Sequence, residues 1–367
     1  MKSFASFLSS TRSLPFNNVV MGNEACDLDS AVCAIVLSFL LSSRTGQLHA
    51  PLLNVPRGDL CLRPDVVRAL EDASVDPGQL FFLDDPELKN LSRHRLHLVD
   101  HNRLCPAQAS LEEAVVQIVD HHRDDGRSPA AEREIFFPLG SCASLVARRV
   151  LEEKLVEERV ARLLLGPILI DTGNLDPKLG KTEKLDQEMA AALAPLCGLE
   201  DAEARRVFFE SLNDAKFDVS RLSMRDSLRR DYKEFEVAIQ SKKKTIRVGM
   251  SAVLRNVREL SARELNAAMD AWMTEQRLEV LVVMTAFYAG ENRVFSRQNV
   301  LVSRDAALEE ALARHLEENL KMEHIEVEGL RGRAYSQLDN RPSRKQVAPM
   351  VTDFLAAYYE NKIKSEL

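Results

Sequence analysis

The chain has 367 residues, of which 45% are hydrophobic and 29% are charged, and its formal net charge is −7. Such a length is too great for one ordinary core and predicts two domains. The acidic balance argues against a nucleic-acid duplex as a partner, since binding of that kind usually rests on a basic surface.

Membrane and secretion signals are not indicated by the sequence. The nearest apolar run, residues 31–41, is shorter than the roughly 18 residues that a membrane helix needs. Residues 1–15 lack a hydrophobic region followed by a cleavage site, and we interpret them as a frayed lead-in. The 6 cysteines are irregularly spaced and fit a reducing compartment. We therefore expect no membrane partner and a cytoplasmic location, with the nucleus as an alternative.

The first half of the chain alternates short apolar runs with helical patterns. Strands are predicted at residues 17–23, 51–55, 80–84, 95–100, 114–120 and 134–138. Helices are predicted from Ser30 to about Ser43, where Gly46 is the stop signal, and at residues 64–72, 141–154 and 157–165. This alternation predicts an α/β domain, residues 1–215, with a mostly parallel, doubly wound sheet whose ligands bind at the carboxyl ends of the strands.

The second half predicts a smaller α/β domain, residues 224–367, after a polar linker at residues 216–223. A helix at 202–213 precedes this linker. Strands are predicted at residues 245–253, 278–288 and 293–296, and helices at 262–276, 306–320 and 345–359.

Acidic residues and histidines follow four apolar runs in the first half. Asp27 and Asp29 follow the first run, and Asp100, Asp120 and Asp171 follow later ones. Carboxylates that converge at one edge of a sheet repel one another unless a proton or a cation intervenes. Aspartates with imidazole suit Mn²⁺ or Mg²⁺, and the number of ligands is enough for two ions. The competing interpretation is that single aspartates are turn formers or helix caps, as Asp29 with Ser30 would be for the following helix.

Five segments carry a family resemblance. They are Gly-Asn-Glu-Ala-Cys-Asp-Leu-Asp-Ser at 22–30, Asp-His-Asn at 100–102, Asp-His-His at 120–122, Ala-Lys-Phe-Asp-Val-Ser at 215–220 and Ser-Arg-Lys-Gln-Val-Ala-Pro at 343–349. Together they resemble the DHH phosphoesterase superfamily, in the branch with family II inorganic pyrophosphatases, and most of all the prune and exopolyphosphatase group. The resemblance runs from about residue 19 to about residue 359. It implies a DHH domain, a DHHA2-like domain and an active site in the cleft between them.

The resemblance also implies roles for particular residues. The implied metal ligands are Asp27, Asp29, Asp100, His121 and Asp171, with Asp100 bridging two ions. Asn23 stands where pyrophosphatases carry a histidine ligand, and an amide oxygen there predicts a weaker site. His122 and Asn102 are implied to contact the substrate near the attacked phosphorus, with His122 and Asp100 as the catalytic pair.

Two basic residues, Arg344 and Lys345, are implied to clamp the phosphates of the substrate. They open the last predicted helix, where the macrodipole disfavours cations and favours anions, so a facing phosphate explains them better than solvent does. Arg221 and Leu222 stand where pyrophosphatases carry paired lysines. This departure predicts a substrate of different length and poor use of pyrophosphate.

The implied reaction is the hydrolysis of phosphoanhydride bonds in short-chain inorganic polyphosphate, and of nucleoside tetraphosphates, by water activated by two divalent cations. One alternative is a phosphodiesterase of cyclic nucleotides, although the sequence predicts no aromatic pocket for a base. Another is a prune-type scaffold with low turnover that binds signalling proteins. The segment Gly140–Ser144 has two interpretations as well: its backbone N–H groups lie near the site, or it packs a helix closely against the sheet.

Overall fold

The computed structural model describes residues 3–219, 222–239, 244–290 and 293–366. The chain forms two compact units, Met1–Asp218 and Val219–Leu367. The division falls within the predicted linker, whose first residues nevertheless belong to a helix that continues to Phe217. Arg221, the predicted stand-in for a pyrophosphatase lysine, lies outside the described residues.

The first unit is built on a six-stranded parallel sheet, as predicted. Its strands are β1 (Phe16–Met21), β2 (Leu48–Leu53), β3 (Phe81–Phe82), β4 (Arg95–Val99), β5 (Val115–Asp120) and β6 (Glu132–Ile135). Their order is β3-β2-β1-β4-β5-β6, so the chain leaves β1 toward one edge and returns to start β4 on its other side. The carboxyl ends of β1 and β4 therefore flank a topological switch point, where open α/β sheets bind ligands.

Seven α-helices accompany this sheet in the part of the unit that the structure describes. They are α1 (Phe4–Ser10), α2 (Leu28–Thr45), α3 (Pro64–Asp72), α4 (Ala143–Glu152), α5 (Glu158–Thr172), α6 (Lys184–Leu193) and α7 (Ala202–Phe217). Among the described residues, α2 alone is long and apolar enough to cross a membrane, yet 83% of it is buried inside the unit. It packs against β2, α4 and α5, as the core helix of a folded domain does.

Two predictions for the first unit are wrong. Residues of the supposed lead-in form α1, because Phe4, Phe7 and Leu8 share one helical face that is buried in the core and Ser3 caps the helix. The apolar run before Asp171, expected to end at the edge of the sheet like the other three, is instead the end of α5. The sequence of a short, fully buried helix segment cannot be told from that of a buried strand, because no polar residues mark a repeat of about 3.6 or 2 residues.

The second unit has a mixed six-stranded sheet in the order β11-β12-β10-β9-β8-β7, which confirms the predicted α/β domain. Its strands are β7 (Tyr232–Ile239), β8 (Lys244–Val253), β9 (Val280–Ala289), β10 (Val294–Ser303), β11 (Met322–His324) and β12 (Arg333–Gln337). Its helices are α8 (Met224–Arg230), α9 (Ala262–Glu275), α10 (Ala306–Leu320) and α11 (Arg344–Glu366). Among the described strands of this unit, only β8 and β9 pair in parallel. Helices α10 and α11 contribute to one apolar cluster, and α8 and α9 contribute to another.

A polar row crosses the first sheet away from the carboxyl ends of its strands. His97 lies between Gln117 and Asn18, with its ring nitrogens 3.2 and 3.4 Å from their side-chain oxygens, and its ring contacts His49. All four side chains belong to buried residues. Burial is the main cause that lowers the pKa of His97 from 6.5 to about 4. This histidine therefore stays neutral in the folded protein at pH values where it is charged in the unfolded chain.

We expect the stability of the first unit to fall between pH 7.5 and 5 partly because of His97. Below the pKa that His97 has in the unfolded chain, this histidine is protonated in the unfolded chain and stays neutral in the folded protein. The difference lowers the free energy of unfolding by about 2 kcal/mol at pH 5. Urea unfolding of wild type and His97→Gln at both pH values measures this difference. The variant should lose less stability on acidification by about that amount. Equal losses in the two proteins would contradict the prediction.

Candidate metal centre

Asp100 directly follows β4 and lies at the centre of the candidate site. It is buried and has φ of +62°, a left-handed backbone conformation that residues other than glycine seldom adopt. Its Oδ2 accepts a hydrogen bond from Asn23 Nδ2 at 2.8 Å. Its buried Oδ1 lies 3.2 Å from His121 Nε2, although no hydrogen bond of good geometry reaches it within the described part of the chain. One oxygen of Asp100 is thus aimed into the site without a fixed donor.

Asp29 is the second residue of α2 and is also buried. Its two oxygens accept hydrogen bonds from the backbone N–H groups of Cys142, at 2.7 Å, and Ala143, at 2.9 Å. The residue that caps α2 is Asp27, whose exposed carboxylate accepts from Ser30 N at 3.0 Å. The capping interpretation of Asp29 is therefore wrong, and its carboxylate is held by the Gly140–Ser144 segment instead. The backbone N–H groups of this segment thus reach a predicted ligand, as the first of its two interpretations has it.

His121 faces both of these carboxylates. Its Nε2 lies 3.2 Å from Asp100 and 3.9 Å from Asp29, while its Nδ1 is 3.0 Å from the carbonyl oxygen of Leu139. Burial alone would lower the pKa of His121, but its contact with Asp100 and the charge of Asp29 raise it to about 10. A carbonyl at Nδ1 fixes the proton there, which leaves the Nε2 lone pair available to a metal when His121 is neutral.

Asp171 and Asn23 complete the group of predicted ligands near the sheet edge. Asp171 lies in the last turn of α5, where burial and the charge of Asp29 raise its pKa to about 8. The amide oxygen of Asn23 accepts from the backbone N–H groups of Ala25 and Cys26 at 3.0 and 3.1 Å. Asn23 thereby shapes the turn before α2 and donates to Asp100, and its predicted role as a weak ligand stays a prediction.

Asp120 organises the second half of the site. It is fully buried, and it accepts hydrogen bonds from His122 Nδ1 at 2.8 Å and from Asn102 Nδ2 at 2.5 Å. Asn102 also donates to Arg123 O and accepts from Asp125 N, so its side chain holds the loop after β5. Burial opposes ionisation, but these donors lower the pKa of Asp120 below its ordinary value. From the sequence, Asp120 was predicted only as one of the converging acids, with no ligand or substrate-binding role, although an aspartate directly before two histidines was the available signal.

The site fits a divalent cation on its own chemistry. Ligand atoms of Asp100, His121 and His122 lie within 4.8 Å of one another. Burial and the charge of Asp29 raise the pKa of Asp100 well above its ordinary value, because crowded buried carboxylates need a positive partner. Aspartate oxygens with one imidazole are the donor set that Mn²⁺ and Mg²⁺ accept. A cation at this place would supply the missing positive charge.

The predicted phosphate clamp belongs to the second unit. Arg344 is the first residue of α11, and its guanidinium binds the carboxylate of Asp231 at 2.5 Å and the carbonyl oxygen of the same residue at 2.8 Å. The charge of Arg344 overcomes burial and lowers the pKa of Asp231. Lys345 is exposed. Arg344 therefore has a carboxylate partner within its own unit, and the clamp remains a prediction for both residues.

Comparisons with known proteins agree with this architecture. The model of the DHH family, N-terminal domain, matches residues 17–170, and that of the DHHA2 domain matches residues 210–354. The structure of a Methanococcus jannaschii protein named as a family II inorganic pyrophosphatase superposes with a TM-score of 0.62 at 20% identity, covering 91% of this chain and 98% of that one. Fold and site thus define a two-domain hydrolase of the DHH class.

Sequence relatives place the chain more closely. It is 34% identical to the Bos taurus protein named exopolyphosphatase PRUNE1, over 94% of this chain and 77% of that protein. It is 28% identical to an Archaeoglobus fulgidus protein named for manganese-dependent inorganic pyrophosphatase activity, over 60% of this chain and 67% of that protein. The chain belongs to the DHH family, in its prune and exopolyphosphatase branch, which confirms the resemblance predicted from the motifs.

Proposed function

We propose that this protein hydrolyses phosphoanhydride bonds of short-chain inorganic polyphosphate, with nucleoside tetraphosphates as further substrates. Two divalent cations, Mn²⁺ or Mg²⁺, would be held by Asp27, Asp29, Asp100, His121 and Asp171. The observation that carries the proposal is the meeting of Asp29, Asp100 and His121 at the switch point of a parallel sheet. The names of the bovine and archaeal relatives support both the substrate class and the metal.

Divalent cations at such a site lower the pKa of a coordinated water toward neutrality and offset the charge of the substrate. The protein's own residues supply position and protons. Backbone N–H groups hold both oxygens of Asp29, and the Leu139 carbonyl fixes the ring of His121. His122 is tied to Asp120 through Nδ1 and its side chain is 35% exposed, so its other nitrogen is free to approach a phosphate oxygen. Preorganised groups of this kind supply much of the acceleration in phosphoryl transfer.

The test is phosphate release from tripolyphosphate, pyrophosphate and adenosine tetraphosphate, with cyclic AMP hydrolysis measured in parallel. Each substrate is assayed with Mn²⁺, with Mg²⁺ and with excess EDTA. We expect tripolyphosphate to be used at least about tenfold faster than pyrophosphate, a difference of about 1.4 kcal/mol in the barrier, and EDTA to stop the reaction. Faster hydrolysis of cyclic AMP would favour a phosphodiesterase, and no turnover of any substrate with either metal would favour a scaffold.

A further inference from the structure

A buried carboxylate outside the predicted ligand set lies behind the metal centre. Asp186, near the start of α6, is fully buried. It accepts hydrogen bonds from Gly140 N at 2.9 Å, Ser144 Oγ at 2.6 Å and Glu183 N at 2.9 Å, and a longer one from Ser141 N. Among the described residues no lysine or arginine forms an ion pair with it. A capping box explains the bond from Glu183, but not the three bonds to the segment 140–144.

The same segment holds two predicted metal ligands. Its N–H groups at Cys142 and Ala143 bind both oxygens of Asp29, and the carbonyl of Leu139, one residue before it, binds the ring of His121. Asp186 fixes the start of this segment through the N–H of Gly140, and its first helical turn through Ser144. One buried carboxylate therefore sets the course of the backbone on which two ligands depend.

Packing around Gly140 makes the arrangement stiff. A Cβ on this residue would lie 2.6 Å from Asp186 Oδ2, 2.6 Å from Thr172 Cγ2 and 2.7 Å from the carbonyl oxygen of Lys181. Thr172 directly follows Asp171, another of the predicted metal ligands. The backbone at Gly140 thus lies close to α5 and to Asp186, with no room for a side chain between them.

We propose that Asp186 is a positioning residue of the metal centre, which acts on Asp29 and His121 through residues 139–143. The proposal rests on the part of the proposed function that has these residues bind a divalent cation. Residues that orient metal ligands from behind typically change metal affinity by about 10–100-fold when they are replaced. An anchor that only supported the fold would change stability and leave affinity as it was.

The test measures Mn²⁺ binding to the full chain by isothermal titration calorimetry and by the electron paramagnetic resonance spectrum of the bound ion. In Asp186→Asn the new NH₂ group faces at least one of the N–H donors. We expect its Mn²⁺ affinity to fall about tenfold, with a changed spectrum. Asp85→Asn is the matched control, because Asp85 is a buried carboxylate of the same unit that is bound by Arg12, Arg57 and Phe82 N. This control should lower the melting temperature and leave affinity and spectrum unchanged.

Two further variants approach the same contact from the other side. Gly140→Ala should weaken Mn²⁺ binding in the same direction, and combining it with Asp186→Asn should cost less than the product of the two losses, because both disturb one contact. Ser144→Ala removes only the hydrogen bond from Ser144 to Asp186. If Asp186→Asn does not fold, the Mn²⁺ affinity of Ser144→Ala decides the question: a loss supports the proposal, and wild-type affinity contradicts it. Wild-type Mn²⁺ affinity and spectrum in the folded Asp186 or Gly140 variants would overturn the proposal. Wild-type protein that binds Mn²⁺ but hydrolyses no phosphoanhydride would contradict the proposed function alone.

Discussion

We expect Asp100→Asn to lower the rate of tripolyphosphate hydrolysis by about a thousandfold, a loss of about 4 kcal/mol of transition-state stabilisation. The substitution keeps the shape of the side chain and removes its charge at the centre of the carboxylate cluster. Asparagine can keep the backbone conformation of Asp100, because it is one of the few residues that adopt a left-handed conformation at little cost. We expect Asp171→Asn to lose activity in the same assay, since this side chain interacts electrostatically with Asp29.

Stability separates this effect from unfolding. Burial and the charge of Asp29 raise the pKa of Asp100, so its ionised form destabilises the folded protein at neutral pH when no cation is bound. Asp100→Asn should therefore unfold in urea at an equal or higher denaturant concentration than wild type in the presence of EDTA. A folded variant that keeps more than a tenth of the wild-type rate would show that Asp100 is not at the reaction centre.

The position of Asp100 was predictable because parallel strands end at one edge of a sheet. The sequence marks β1, β4 and β5 as apolar runs that end in polar residues, and the structure brings Asn23, Asp100 and His121 together there. Asp171 is close for a different reason, since its run is the end of a helix, α5, that packs against α2 and α4. The convergence of these acids could therefore be predicted even where the helix or strand that carries an aspartate was not predicted correctly.

Contacts that support the ligands could not be predicted in this way. The bonds from Cys142 and Ala143 to Asp29 join residues 113 and 114 positions apart. They depend on how a loop packs, which no local pattern encodes. In the second unit, β7 was missed because charged residues such as Lys233, Glu234 and Glu236 interrupt its apolar pattern at the edge of the sheet. Edge strands favour such charges, which discourage pairing with other chains.

Asp120→Asn should reduce kcat by about 10–100-fold while leaving most of the Mn²⁺ affinity intact, since its effect passes through an oriented side chain. Asp120 accepts from His122 Nδ1, from Asn102 Nδ2 and from His121 N, so all its contacts are donors. An amide in its place must turn its NH₂ group toward one of them. Leaving a buried donor without an acceptor costs about 1–3 kcal/mol, so the variant should also melt at a lower temperature.

His122 is the residue through which this loss should act. Its ring lies 2.8 Å from Asp120 and 3.9 Å from Asp100, so the bond to Asp120 decides which way the exposed part of the ring points. If the two residues work as a unit, His122→Gln with Asp120→Asn should lose little more kcat than His122→Gln alone. Steady-state rates on tripolyphosphate for the wild type, the two single variants and the double variant complete the cycle. Losses that multiply in the double variant would mean that Asp120 supports the reaction by a route other than His122.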